Sequence, residues 1–184
     1  LLTMLIVGEQ VQKPLAFARD KAVLLLSFCG ALRRSEACAL EVTDLKFLDG
    51  GMDVLIRRSK TDGDGRGQTI FVPKANGTRC AVAAVREWLD LAQISEGPVF
   101  RAVSRSDRVL PGALSPQSVA LIVKRAAARI GANADDFSGH SLRAGFCTEG
   151  SMAGLANWQI RAVTRHVNDV HLATYVRPLS NKTP

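Results

Sequence analysis

SGHSLRAGFCTEGSMAGLANWQIRAVTRHVNDVHLATYVRP, residues 138–178, holds all three histidines of the chain, several of its arginines and its only tyrosine. His140 and Arg143 stand three apart, so on a helix both side chains leave one face, where a single anion meets an imidazole and a guanidinium together. That spacing suits a phosphate. His166 precedes Tyr175 by nine residues, with Asn168-Asp169 between them as a turn that closes one helix and opens a short last one. Leu142, Phe146 and Met152 read as the inward positions of the helix that carries His140 and Arg143. Trp158, Ile160, Ala162 and Val163 read as those of the next, over about 157–165.

Working outward, the chain before this stretch alternates helices with one short β region. Pro14 suits the first turn of a helix whose apolar positions Leu15, Ala22, Leu25, Leu26 and Cys29 run up to Gly30, which interrupts it. A second short helix, Glu36 to Leu40, follows at once and leaves Arg33 at the junction, where the backbone can aim a side chain into a cleft. Turn signals flank Leu45 to Leu48. Asp53 to Arg58 alternates as a strand does, and Gln68 to Val72 is a further β-rich run closed by Pro73. A three-stranded antiparallel sheet over about 45–72 results, with Lys60 at a strand end beside the glycine-rich tip 62–67.

A helix from Thr78 to Gln93 buries Val82, Val85, Trp88, Leu89 and Ala92, and a loop carrying Arg101, Arg105 and Arg108 either touches a polyanion or is merely solvated. Ser115 as N-cap and Pro116 at the first position open another helix. Its buried stripe is Val119, Ile122, Val123, Ala126, Ala127 and Ile130, with Lys124, Arg125 and Arg129 outside. Asp135 and Asp136 read as loop acids, since no third ligand completes a metal site nearby.

Composition narrows the partners. Lys and Arg exceed Asp and Glu by seven, which favours a polyanion, and aromatic residues at 5% supply no stacking platform for single strands, so duplex backbone contacts fit better. The four cysteines, Cys29, Cys38, Cys80 and Cys147, show no zinc spacing and read as reduced thiols filling core volume. The apolar run 22–29 is too short to cross a bilayer, and Leu1 to Val7 lacks a basic leader, so a cytoplasmic location with no membrane partner is expected. The chain starts without Met, which reads as a piece cut from something longer.

His-x-x-Arg followed by His-x8-Tyr resembles the C-terminal signature of the tyrosine recombinases, the phage integrase family. Gly30-Ala31-Leu32-Arg33-Arg34-Ser35-Glu36 resembles the family's Gly-Leu-Arg-x-x-Glu box, and Arg58-Ser59-Lys60-Thr61 its strand-end lysine. One departure is Arg165, which stands where the family usually has Gly before the second histidine. It bears on a tight helix-terminal turn, or offers a phosphate contact instead. The resemblance implies an α+β, mainly α-helical catalytic domain over 1–184 with that small sheet, preceded in a whole protein by a helical DNA-binding domain that this chain lacks. It implies a site-specific recombinase acting on duplex DNA at recombination sites, self-associating there as a dimer or tetramer, nucleoid-associated, and needing no cofactor.

The residues it assigns are Arg33, Lys60, His140, Arg143, His166 and the nucleophile Tyr175, with Glu36 orienting Arg33. Arg34, Arg58, Arg66, Arg105, Lys124 and Arg165 are candidate DNA contacts. By the same resemblance Lys60 protonates the leaving 5′-oxygen, His140 assists proton movement from the tyrosine, and His166 donates to a non-bridging oxygen. Two other readings stand beside it. A type IB topoisomerase shares the tyrosine chemistry, but typically has Lys where His140 stands and a Ser-Lys pair where Ala173-Thr174 stands. A basic helical module that binds duplex DNA with an idle site is the reading from another class.

Overall fold

The computed structural model describes residues 12–58 and 67–165. Helix α1, Pro14–Cys29, forms the centre: Ala22 through Leu26 are each at most 1% exposed, so the helix is buried nearly all round rather than along one stripe. Its start is held from far along the chain, because both Asp107 carboxylate oxygens accept the otherwise unpaired N–H groups of Leu15 and Ala16, at 3.0 and 2.9 Å. Helix α2 is Arg34–Ala39, with Arg33 as its N-cap residue, at the junction expected from the sequence.

Strands β1 (Leu45–Leu48), β2 (Gly51–Ile56) and β3 (Gln68–Pro73) form an antiparallel sheet in that order, with Leu48 opposite Gly51 and Val54 opposite Ile70. Period-two alternation sends Met52, Val54 and Ile56 from β2, with Ile70 and Val72 from β3, into the core beside α1. Helix α3, Ala81–Ala92, packs across α1, and Trp88 is fully buried with its indole N–H donating to the Val99 carbonyl at 2.8 Å. Cys80 does more than fill volume, since its Sγ caps α3 by accepting from the Ala83 N–H at 3.4 Å.

The stretch expected to be a loop carrying Arg101, Arg105 and Arg108 is instead a second, two-stranded antiparallel sheet of β4 (Arg101–Val103) and β5 (Val109–Ala113). Its strands are short and irregularly paired, which hides them from a periodicity test. Helix α4, Pro116–Arg129, starts as anticipated, with Ser115 Oγ accepting from the Ser118 N–H at 3.1 Å. Helices α5 (Ser141–Met152) and α6 (Asn157–Thr164) complete the described chain. Phe146 on α5 meets Phe28 on α1 edge-on, with ring centroids 6.0 Å apart.

Two expectations about this last pair are corrected. Met152 and Trp158 are 64% and 70% exposed, not inward. Ile160 and Thr164, one helical turn apart, occupy the single inward face of α6, and that phase turns Trp158 and Ala162 outward. No helix among the described residues is long and apolar enough to cross a membrane.

Candidate active site

The turn that ends α1 builds the floor of the site. Gly30 N–H donates to Leu26 O, Ala31 N–H to Phe28 O and Leu32 N–H to Ser27 O, all within 2.9 to 3.0 Å. Space at Gly30 is tight, since a Cβ there would lie 2.9 Å from Ile70 Cδ1 and 3.1 Å from the Leu26 carbonyl oxygen. Ala31 takes a φ of 45°, in the left-handed region that a residue with a Cβ ordinarily avoids. Beyond the last turn of a helix, carbonyl oxygens lack intrahelical donors and lie at the negative end of the helix dipole. Those of Gly30 and Ala31 receive guanidinium groups.

Arg143, on the first turn of α5, sends Nη1 to the Ala31 carbonyl at 2.7 Å across 112 positions of sequence. Arg165, just past α6, donates from Nη1 to Gly30 O at 3.1 Å and from Nη2 to Ala31 O at 3.3 Å. Its Nη2 also meets Glu36 Oε2 at 2.7 Å. Glu36 in turn takes the Arg33 backbone N–H on Oε2 at 2.8 Å and Arg33 Nη1 on Oε1 at 2.6 Å. One carboxylate in the first turn of α2 thus joins two guanidiniums and the N-terminal backbone of its own helix.

The charges do not balance inside this cluster. Among the described residues, three guanidiniums, of Arg33, Arg143 and Arg165, face the single carboxylate of Glu36. Arg143 Nη2 and Arg165 Nε are buried and find no hydrogen-bond partner among the described residues. Burial, then the neighbouring Arg33 and Arg165, pull the Arg143 guanidinium down to about 10. Burial alone would raise the Glu36 carboxyl, but Arg165 and then Arg33 outweigh it and hold the group below the ordinary carboxylate range. Such a surplus of fixed, desolvated donors is matched by an anion with several oxygens, and is strongest where negative charge develops.

The expected site residues separate accordingly. Arg33, Glu36 and Arg143 are brought together. His140 is the N-cap residue of α5 and is exposed, whereas Arg143 is only 3% exposed, so the two do not leave the helix as an equivalent pair. Helical phase does not govern a residue that precedes the first turn. Lys60, Arg66, His166 and Tyr175 lie outside the described residues.

Among the candidate DNA contacts, Arg34, Arg58 and Arg105 are exposed, and Lys124 is half-buried and paired with Asp135 at 2.9 Å. The stem of Arg34 lies against Gly139, where an added Cβ would sit 2.8 Å from its Cδ, so the Arg34 chain runs beside the backbone that leads to His140. Arg58 lines an open cleft of ≈ 390 Å³ between α2 and β2, shared with Glu36 and Leu55. Arg165 is corrected: its side chain is 2% exposed and engaged internally, not offered on the surface.

The tight turn at Arg165 survives the departure from Gly, with a φ of 60°. Sequence reasoning missed the Gly30 and Ala31 carbonyls as supports, and nothing in the residue types announces them. It did flag Arg165, though not the direction of its side chain.

The model of the phage integrase family matches residues 8–182. An integrase/recombinase of Selenomonas ruminantium, described as an XerD homologue, is 39% identical over 166 residues, covering 90% of this chain and 49% of that protein. The chain therefore spans about half the length of that curated relative. The crystal structure of XerA recombinase superposes with a TM-score of 0.71 at 16% identity, over 97% of this chain and 57% of that one. That of XerH site-specific recombinase bound to palindromic difH substrate, a post-cleavage complex, gives 0.70 at 18%, over 97% and 47%.

Proposed function

We propose that this chain, which belongs to the phage integrase family, is the strand-cleaving domain of a site-specific DNA recombinase. It acts on duplex DNA at specific sites, in the cytoplasm at the nucleoid, and assembles there with further copies. The observation that carries the reading is the arginine pair: half-buried Arg33 and buried Arg143 come from distant parts of the chain to one carboxylate and one carbonyl, and Arg143 Nη2 is a buried donor left over among the described residues. A phosphodiester presents two non-bridging oxygens to such a pair, and their charge grows in the transition state. Paired guanidinium hydrogen bonds strengthen in step.

In this reading Tyr175 attacks the phosphorus. A phenol with a pKa of about 10 must lose its proton on the way, and His140, exposed just before the first turn of α5, helps move it. His166 donates to a non-bridging oxygen and Lys60 protonates the departing 5′-oxygen. The phosphorus–oxygen bond to the 5′-carbon side breaks as the bond to tyrosine forms, so a 3′-phosphotyrosine and a free 5′-hydroxyl result. The link stores the bond energy for a second hydroxyl to reclaim, and the chemistry calls for neither ATP nor a divalent ion. Arg34, Arg58, Arg66, Arg105 and Lys124 supply contacts to the DNA backbone.

The test is a nicked suicide duplex whose cleaved end diffuses away. The wild-type chain traps a covalent protein–DNA adduct, and Tyr175→Phe traps none. An adduct that persists in Tyr175→Phe rejects the assignment.

A further inference from the structure

We infer that Arg165 is a positioning residue that sets both arginines of the reaction from behind, an inference that rests on the strand-cleavage reading above. Its guanidinium holds the two supports on which they depend. It grips Glu36 Oε2, which leaves Oε1 for Arg33 Nη1, and it shares the Ala31 carbonyl with Arg143 Nη1.

The backbone at Arg165 points the same way. A φ of 60° is unfavourable for any residue with a Cβ, and glycine would adopt it freely. Here it is held by the hydrogen bonds of the side chain itself, to Gly30 O, to Ala31 O and, from Nη1, to Val163 O at 2.6 Å. The strained turn and the buried guanidinium are thus one arrangement. It fixes the end of α6 against the end of α1 immediately before His166.

A second consequence is electrostatic. Without Arg165 the Glu36 carboxyl keeps its burial and loses the cation that most lowers its proton affinity. It then takes up a proton at higher pH, and a protonated Glu36 no longer anchors Arg33 as a charged acceptor. The folded carboxyl, now depressed, functions as an anion above its ordinary range and fails only below it. In an Arg165 variant that failure moves upward in pH.

The experiment compares Arg165→Met, which keeps stem volume and removes the guanidinium, with Arg165→Gly, which relieves the positive φ, and with Arg165→Lys, which restores charge. The readouts are adduct formation on the suicide duplex across pH, duplex affinity by gel shift, and the 13C carboxyl shift of Glu36 by NMR. Misplacing a reacting group by about 1 Å typically lowers a rate by about a hundredfold. Met and Gly are expected to lower the adduct rate on the order of ten- to hundredfold with duplex affinity nearly unchanged. The acid limb and the Glu36 titration both move to higher pH, and Lys returns both part of the way.

Should Met fail to fold, Gly carries the comparison. Wild-type rate and an unmoved Glu36 titration in a folded variant overturn this inference and leave strand cleavage standing. A wild-type chain that forms no adduct removes the reaction and the inference together.

Discussion

Replacing Glu36 by Gln is the most informative single change to this fold. Glu36 is 4% exposed and accepts three hydrogen bonds of 2.6 to 2.8 Å, two of them from guanidiniums. Gln keeps the shape but supplies no countercharge, so Arg33, Arg143 and Arg165 are left facing one another with no carboxylate between them. Breaking a buried ion pair by removing one partner typically costs about 3 to 5 kcal/mol. Against a domain stability of about 5 to 15 kcal/mol this is a large fraction. With a urea slope near 2 kcal/mol per molar, a loss of about 4 kcal/mol lowers the unfolding midpoint by roughly 2 M.

Equilibrium unfolding followed by tryptophan fluorescence at neutral pH reads that shift. The pH dependence gives a second arm. The folded carboxyl is depressed, so its stabilisation is fully present above the ordinary range near 4.5 and is lost as pH falls through the lower folded value. In Glu36→Gln that acid-dependent loss disappears, because nothing titrates at the position. A variant with the wild-type midpoint and the wild-type acid limb would refute the claim that Glu36 neutralises this cluster.

Three further outcomes follow from other parts of the molecule. Asp107→Ala leaves the N–H groups of Leu15 and Ala16 without their acceptor and should destabilise by about 0.5 to 2 kcal/mol, measured by thermal or urea unfolding. Trp158→Ser should change stability by less than about 0.5 kcal/mol, because the ring is 70% exposed; a larger drop in the same measurement would show that the ring is packed. Lys60→Ala should slow cleavage of a 5′-oxygen duplex far more than that of a 5′-bridging phosphorothiolate, whose sulfur departs without a proton; equal slowing of both rejects the general-acid role.

Residue order alone determined a good deal here. Pro14 and Gly30 bracket α1, Ser115-Pro116 opens α4, and alternation marks β2 and β3, because caps, turns and period-two burial are local and each leaves its own residue types behind. The spacing of Arg33 and Glu36 was legible for the same reason: an N-cap residue and the residue three further on share one turn.

What could not be read is whatever joins distant segments. Asp107 capping α1, the Ala31 carbonyl receiving Arg143, and the inward course of Arg165 all pair groups more than 90 positions apart. A side chain's destination over that span depends on which cavity packing leaves open. An arginine before a histidine therefore carries no mark of whether it reaches outward to a phosphate or inward to Glu36. Tertiary structure decided that, since the end of α1 offers unpaired carbonyls within reach of a guanidinium and the surface side of α6 does not.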